Sequence, residues 1–253
     1  MRQLKNLIWI ILLFSTVFFL NSCNNQETVI QSIEATVKGE NGNSQGKQTS
    51  GEGEITLYKV ANGAITKDTD YKVIGSDLAF QKDIAKHNQI WDLIRKIVPL
   101  NQLDKMTEFM IFNGENSGTS GYVVEKSDDL SKWQMGIAIN YAFEGGFNYK
   151  GELAYTIIHE FGHILTLNDI QVNGSITQEK CTNYYTGEGC AKESSYINES
   201  FQKYWKDIAV EHEKAQVNQN KQEAFYNKYN SRFVTNYAST NPGEDIAEVF
   251  ATF

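Results

Sequence analysis

The segment His159-Glu160-Phe161-Gly162-His163 sets two imidazoles four residues apart, with a carboxylate directly after the first. On a helix of 3.6 residues per turn both histidines project from one face, where they can share a tetrahedral metal. A carboxylate in the position of Glu160 can act as general base toward a water at that metal. The pattern predicts a zinc site that carries its own base. The flanking residues suit a helix: Gly151 and Glu152 open it, and Leu153, Ile157, Ile158, Phe161, Ile164 and Leu165 give it broad apolar cover.

A catalytic zinc needs a third protein ligand and one open position. Asp169, six residues after His163, stands where a metzincin protease places that ligand. That arrangement needs a glycine turn, and here the turn position is Thr166, a β-branched residue unsuited to positive φ. It also needs a methionine turn downstream, whereas Met1, Met106, Met110 and Met135 all lie upstream. The stronger candidate is the run from Asn236 to Glu248. Pro242 and Gly243 punctuate it, and Glu244 and Asp245 put negative charge in the first turn of a new helix. Glu244 and Glu248 are four apart and face the same way. One can bind the metal while the other accepts the free ring N–H of a ligating histidine.

These blocks together resemble the gluzincin group of zinc metallopeptidases. The tail Phe233-Val234-Thr235-Asn236-Tyr237-Ala238-Ser239-Thr240-Asn241-Pro242-Gly243-Glu244-Asp245-Ile246-Ala247-Glu248 is similar to the "YAs-x-NP-x-EDfaE" block of a family of bacterial zinc-binding metallopeptidase lipoproteins. A more distant likeness is to catalytic domains of the lethal-factor type, in which a tyrosine precedes the zinc glutamate by seven residues, as Tyr237 precedes Glu244. The resemblance covers two blocks in the last two fifths of the chain. It implies one zinc per chain held by His159, His163 and Glu244, with Glu160 as catalytic base and Tyr237 as hydroxyl donor to the transition state. The resemblance implies an outer-shell place for Glu248, and here the chain departs from the pattern, since many gluzincins carry Glu-x-x-x-Asp where it has Glu244-x-x-x-Glu248. The last helix is expected to be held by packing of Ile246, Val249 and Phe250.

Residues 1–22 read as a targeting leader, with Arg2 and Lys5 before an apolar core from Leu7 to Leu20 that is short for a membrane span. Leu20-Asn21-Ser22-Cys23 resembles a bacterial lipobox, which implies lipid attachment at Cys23 and an extracytoplasmic, lipid-anchored place in the bacterial envelope. With Cys23 so used, Cys181 and Cys190 remain as a disulfide pair around a Tyr-, Thr- and Gly-rich loop. Residues 23–53, rich in Asn, Gln, Gly and Ser, read as a flexible tether. Losing Arg2 and Lys5 takes the formal charge from −8 to about −10, and no basic stripe or aromatic platform suggests nucleic acid.

Residues 54–253 are long enough for one domain with a real core. Strands are expected at Glu54–Val60, Glu108–Asn113, Tyr122–Glu125 and Trp133–Asn140, and helices at Phe80–Ile97, Ser194–Gln216 and Lys221–Asn230. The expected class is α+β: a zincin-like metallopeptidase fold with a small mixed sheet, the HExxH helix and a mainly helical C-terminal part. In that class the sheet edge beside the site aligns an extended peptide, and Trp133–Asn140 is expected either to be that strand or to be an ordinary core strand with no substrate role. His87 and His212 read as solvent-facing or structural. The expected activity is zinc-dependent hydrolysis of peptide bonds in a peptide or protein substrate. The alternative from another class is a surface lipoprotein that binds a peptide or glycoprotein on the same scaffold without cutting it.

Overall fold

The computed structural model describes residues 53–253; the leader at 1–22, Cys23 and all but the last residue of the tether lie outside the described residues. Five strands form one mixed sheet in the order β2-β1-β3-β5-β4. They are β1 (Glu54–Ala61), β2 (Ala64–Asp70), β3 (Met106–Phe112), β4 (Gly121–Glu125) and β5 (Trp133–Ala138). All neighbours are antiparallel except β3 and β5, which run parallel. The class is therefore α+β, as expected. Strand β2 was not legible from apolar alternation, because nearly all of its residues are exposed. Its signal is the turn pair Asn62-Gly63, with φ of 52° and 70°, the positive-φ dipeptide of a tight hairpin.

One face of the sheet builds the main core. Ile55, Phe109, Ile111, Met135 and Ile137 pack with Ile90, Trp91 and Ile94 from the helix α2 (Ile84–Ile97) and with Leu153, Ile157 and Ile164 from the helix α4 (Glu152–Leu167). The helix expected over Phe80–Ile97 is two: α1 (Gly75–Lys82) ends at Asp83, whose side chain accepts the Lys86 N–H and starts α2. A short α3 (Ile139–Ala142) follows β5. Likewise the helix expected over Ser194–Gln216 breaks into α5 (Tyr196–Ser200), a π-helical turn at Phe201–Trp205 and α6 (Ala209–Ala215). Helices α7 (Gln219–Tyr229) and α8 (Pro242–Thr252) close the chain.

Of the two places open to Trp133–Asn140, sheet edge or core strand, the structure has the core strand: β5 lies between β3 and β4 with all six of its residues buried, and the edge beside α4 is β4. The chain folds back through a turn in which Leu130 takes φ of 63°, and so lays the more polar β4 outside the apolar strand. Helix α8 packs Ile246 on the main core and sets the Phe250 ring 6.4 Å from that of Phe161 on α4, as expected, while Val249 is 39% exposed. It also buries Glu244, Asp245, Ala247 and Glu248.

Beyond α4, the short strands β6 (Val172–Asn173) and β7 (Cys190–Ala191) pair antiparallel. The expected disulfide joins Cys181 to Cys190 across a Cα separation of 5.3 Å.

Candidate metal centre

Helices α4 and α8 cross at Gly162. A Cβ on Gly162 would stand 3.3 Å from the Ala247 Cα, so the glycine inside the HExxH segment brings the two backbones close. Asn241 caps α8 by accepting the Glu244 N–H at 2.9 Å, with Pro242 in the first turn. The cap thereby fixes the residue that faces the histidines. Glu244 and Glu248, one turn apart, bracket the contact at Ala247 and reach His159 from two sides.

Three ligand-type atoms converge. His159 Nε2 and His163 Nε2 lie 3.1 Å apart, and Glu244 Oε2 is 3.1 Å from the first and 3.4 Å from the second. Glu244 Oε2 is buried and makes no aligned hydrogen bond, although both imidazoles are close. Two imidazole nitrogens that both present lone pairs repel at this distance, and at most one can carry a proton toward the other. Something positive between them removes the conflict. His159, His163 and Glu244 are thus a group that can hold a metal ion.

The surrounding charges favour a cation there. Burial opposes charge on His159, but Glu244, Glu248 and Glu160 outweigh it and raise its pKa to about 10. His163 is raised in the same way, with Glu244 overcoming burial. Burial would raise Glu244, yet the two histidines hold its carboxyl well below the usual range. The field that draws a proton to these rings draws a metal cation equally.

Around this centre stand the other residues singled out from the sequence. Glu160 is buried on α4, and burial pushes its carboxyl up, with the two histidines partly offsetting it. Tyr237 packs its ring 5.9 Å from that of His159, and burial, followed by Glu244 and Glu160, raises its phenol so that it stays protonated. Glu248 Oε1 lies 2.9 Å from His159 Nδ1, close but outside hydrogen-bond alignment. Asp169 is not part of the group; its carboxylate pairs with Lys105. His87 and His212 also lie apart from it, each bonded to a backbone carbonyl.

Sequence reasoning missed three contributors. Thr235 donates its hydroxyl to Glu248 Oε2 and accepts the Ala238 N–H, so it ties the tail before α8 to the carboxylate behind His159. Tyr155 also bonds Glu248 and stacks on the His159 ring at 6.4 Å; its position four residues before His159 was the available signal. Burial would raise Glu248, but His159, Thr235 and Tyr155 hold it low and charged. Gly121, the first residue of β4, is the third. A Cβ there would meet Thr156 Cγ2 at 2.5 Å and Glu160 Cγ at 3.1 Å, so only glycine lets the edge strand pass this close to Glu160.

Fold and site together define an α+β protein with a buried two-histidine, one-carboxylate centre between two helices. Set against known proteins, the chain matches no family model, and neither the curated proteins nor the solved structures yielded a match.

Proposed function

We propose that this chain is a zinc-dependent endopeptidase of the zincin type and gluzincin ligand pattern, anchored by lipid on the bacterial envelope outside the cytoplasm. The observation that carries the reading is the triangle of His159 Nε2, His163 Nε2 and Glu244 Oε2, with sides of 3.1, 3.1 and 3.4 Å. A tetrahedral zinc with bonds near 2.0–2.2 Å would hold its ligand atoms roughly 3.3–3.6 Å apart, so the triangle needs only slight expansion. Two imidazoles and one carboxylate also suit zinc better than calcium or magnesium, which take all-oxygen shells.

Zinc bound there supplies Lewis acidity, polarising the scissile carbonyl and bringing the pKa of water toward neutrality. The chain's own groups do the rest. Glu160 takes the proton of the attacking water as its oxygen adds to the carbonyl carbon, and delivers it to the amine nitrogen as the C–N bond breaks. Burial helps, because a raised carboxyl holds that proton long enough to pass it on. Tyr237, kept neutral, donates a hydrogen bond to the carbonyl oxygen as negative charge develops. Glu248 orients His159 from behind, and Thr235 and Tyr155 hold Glu248. The backbone of β4, which among the described residues pairs with no strand on its outer side, offers an extended peptide a strand to pair with beside Glu160.

Metal content and peptide cleavage, measured on wild type beside Glu160→Gln, test this. One zinc in each protein with turnover only in wild type is the expected result. A Glu160→Gln protein that cleaves as fast as wild type would falsify the assignment of the base.

A further inference from the structure

The helical segment between α4 and α8 supplies no atom to the His159–His163–Glu244 group, yet it bonds to the tail that carries Tyr237 and Glu244. Its centre is the π-helical turn Phe201–Trp205, where the Lys206 N–H reaches back to the Phe201 carbonyl at 2.9 Å. Such a turn carries an extra residue and so re-aims the side chains around it. Here it accompanies a Trp205 that is only 1% exposed and whose indole N–H donates to Asp245 Oδ2 at 2.8 Å. Asp245 directly follows Glu244. Its other carboxylate oxygen is buried without a partner, so among the described residues the indole is what holds this side chain.

His212 on α6 makes the second bond. A carbonyl can only accept, so His212 Nε2 carries the proton and donates it to the Thr240 carbonyl at 2.7 Å. Thr240 closes the 3₁₀ turn Tyr237–Thr240 and immediately precedes Asn241, the cap of α8. The two bonds therefore flank the cap, one on the side of Tyr237 and the other on the side of Glu244. The two donors also move as one body. Trp205 meets His212 edge-on with ring centroids 5.0 Å apart, and Phe225 packs on both, at 6.4 and 5.2 Å. From outside, Arg232 forks onto Asp207 at 3.1 and 2.8 Å. Ring packing alone would bury the tail but leave it free to slide, whereas directed hydrogen bonds on either side of the cap fix its register.

We propose that Trp205 and His212 are positioning residues, which set Glu244 and Tyr237 against the histidines of α4 by holding Asp245 and Thr240. The inference rests on the proposed zinc centre and on Tyr237 as oxyanion donor, and adds what keeps both in place. Trp205 acts on the ligand side, so its loss is read in metal affinity. His212 acts on the tyrosine side, so its loss is read in kcat rather than KM, because a displaced donor fails the transition state more than the bound peptide.

The test reads zinc affinity, peptide cleavage and amide hydrogen exchange on variants of the full chain. Trp205→Phe keeps a ring and removes the N–H; it is expected to weaken zinc binding about tenfold, the lower end for loss of an outer-shell partner. His212→Leu should cut kcat about tenfold with KM within about twofold. It should also speed exchange of the Ala238 and Ser239 amides, which bond to Thr235 and Asn236, about tenfold relative to α4 amides. His212→Gln, still able to donate to Thr240, should bring both readings back to within about threefold of wild type. Ile208→Ala lies in the same apolar cluster as Trp205 but has no polar group to offer the tail. It should lower the unfolding midpoint and leave zinc affinity and relative exchange unchanged. Wild-type zinc affinity in Trp205→Phe, equal losses in Ile208→Ala, or no rescue by His212→Gln would overturn the proposal. If Trp205→Phe does not fold, the two His212 variants decide alone. A wild type that binds no zinc or cuts no peptide removes the functional reading, and the positioning is then judged by exchange. Faster relative exchange at Asp245 in Trp205→Phe and at Ser239 in His212→Leu sustains it, and unchanged exchange overturns it.

Discussion

The four histidines of this chain fall into two pairs, and the contrast lies in what faces their ring nitrogens. His87 is fully buried, with Nε2 2.9 Å from the Phe80 carbonyl and Nδ1 2.7 Å from the Tyr58 hydroxyl. A carbonyl can only accept, so Nε2 carries the proton and Nδ1 takes the Tyr58 hydrogen. The ring is neutral and complete. His212 is likewise committed, with Nε2 2.7 Å from the Thr240 carbonyl and its ring packed edge-on against Trp205. In His159 and His163 the arrangement is reversed: two Nε2 atoms and a carboxylate oxygen point at one another, and every one of them is best satisfied by a cation. Burial does not divide the sets, since each has one buried and one half-buried ring. The partner atoms decide which histidines are cement and which can hold a metal.

The largest effects should come from breaking that distinction directly. His163→Ala or Glu244→Ala is expected to weaken zinc binding by more than about a hundredfold, since losing even an outer-shell partner costs about 10–100-fold. Elemental analysis after dialysis against a weak chelator would read this, and His87→Ala should still retain one zinc. If His87→Ala lost the metal while His163→Ala kept it, the division drawn here would be wrong. Tyr237→Phe comes next: loss of one donor to the developing oxyanion should cut kcat by about 10²–10³, with zinc content unchanged.

How much of this was legible before any coordinates? The HExxH helix was, because its apolar residues keep the 3.6 period through Leu153, Ile157, Phe161 and Ile164, all buried as expected. So was the pairing of Cys181 with Cys190. The last helix was legible in part. Ile246 packs on the main core and the Phe250 ring lies 6.4 Å from that of Phe161, but Val249 is exposed, and two glutamates, an aspartate and an alanine are buried as well. A rule that buries apolar residues cannot foresee a helix held by its charges, since that depends on what waits opposite: His159 for Glu248 and Glu244, and the Trp205 indole N–H, 2.8 Å from Asp245 Oδ2. The place of Trp133–Asn140, edge or core, stayed open for a related reason, because pairing order is set by the turn after β4. Thr235 left no local trace at all, because its partner Glu248 lies thirteen residues away.

The structural pair yields a pH prediction of definite sign. Burial, ahead of the helping bond to Phe80, lowers the pKa of His87, and burial likewise lowers that of His212. Both rings then bind fewer protons folded than unfolded in the range just below their unfolded value near 6.5. Their contribution to stability is complete above about pH 6.5 and is lost as pH falls from there toward the folded values. His87→Gln in the zinc-loaded protein should therefore lower stability at pH 8, where a neutral partner of Tyr58 is lost, by about 1–3 kcal/mol. The deficit should shrink toward pH 5, because the variant no longer has that ring to protonate. Urea unfolding at the two pH values would show it, and a deficit that grew on acidification would reverse the assignment.

The smallest expected effect sharpens the comparison most, because it separates the stability of the fold from the placing of the ligands. At Gly162 an added Cβ would stand 3.3 Å from the Ala247 Cα and 3.5 Å from its Cβ, a contact tight enough that α8 must shift by a few tenths of an ångström. Alanine gains about 1 kcal/mol over glycine in a helix interior, which offsets a mild overpacking penalty. Gly162→Ala should accordingly leave the unfolding midpoint nearly unchanged. Zinc affinity should still fall by a few-fold, because the shift is borne by the helix that carries Glu244 and Glu248 one turn apart around Ala247. No such trade exists at His87, whose partners, Tyr58 on β1 and Phe80 on α1, do not depend on how α4 meets α8. Zinc affinity unchanged in Gly162→Ala would mean that the Asn241 cap alone fixes Glu244, and the close approach of the two helices would then matter for packing only.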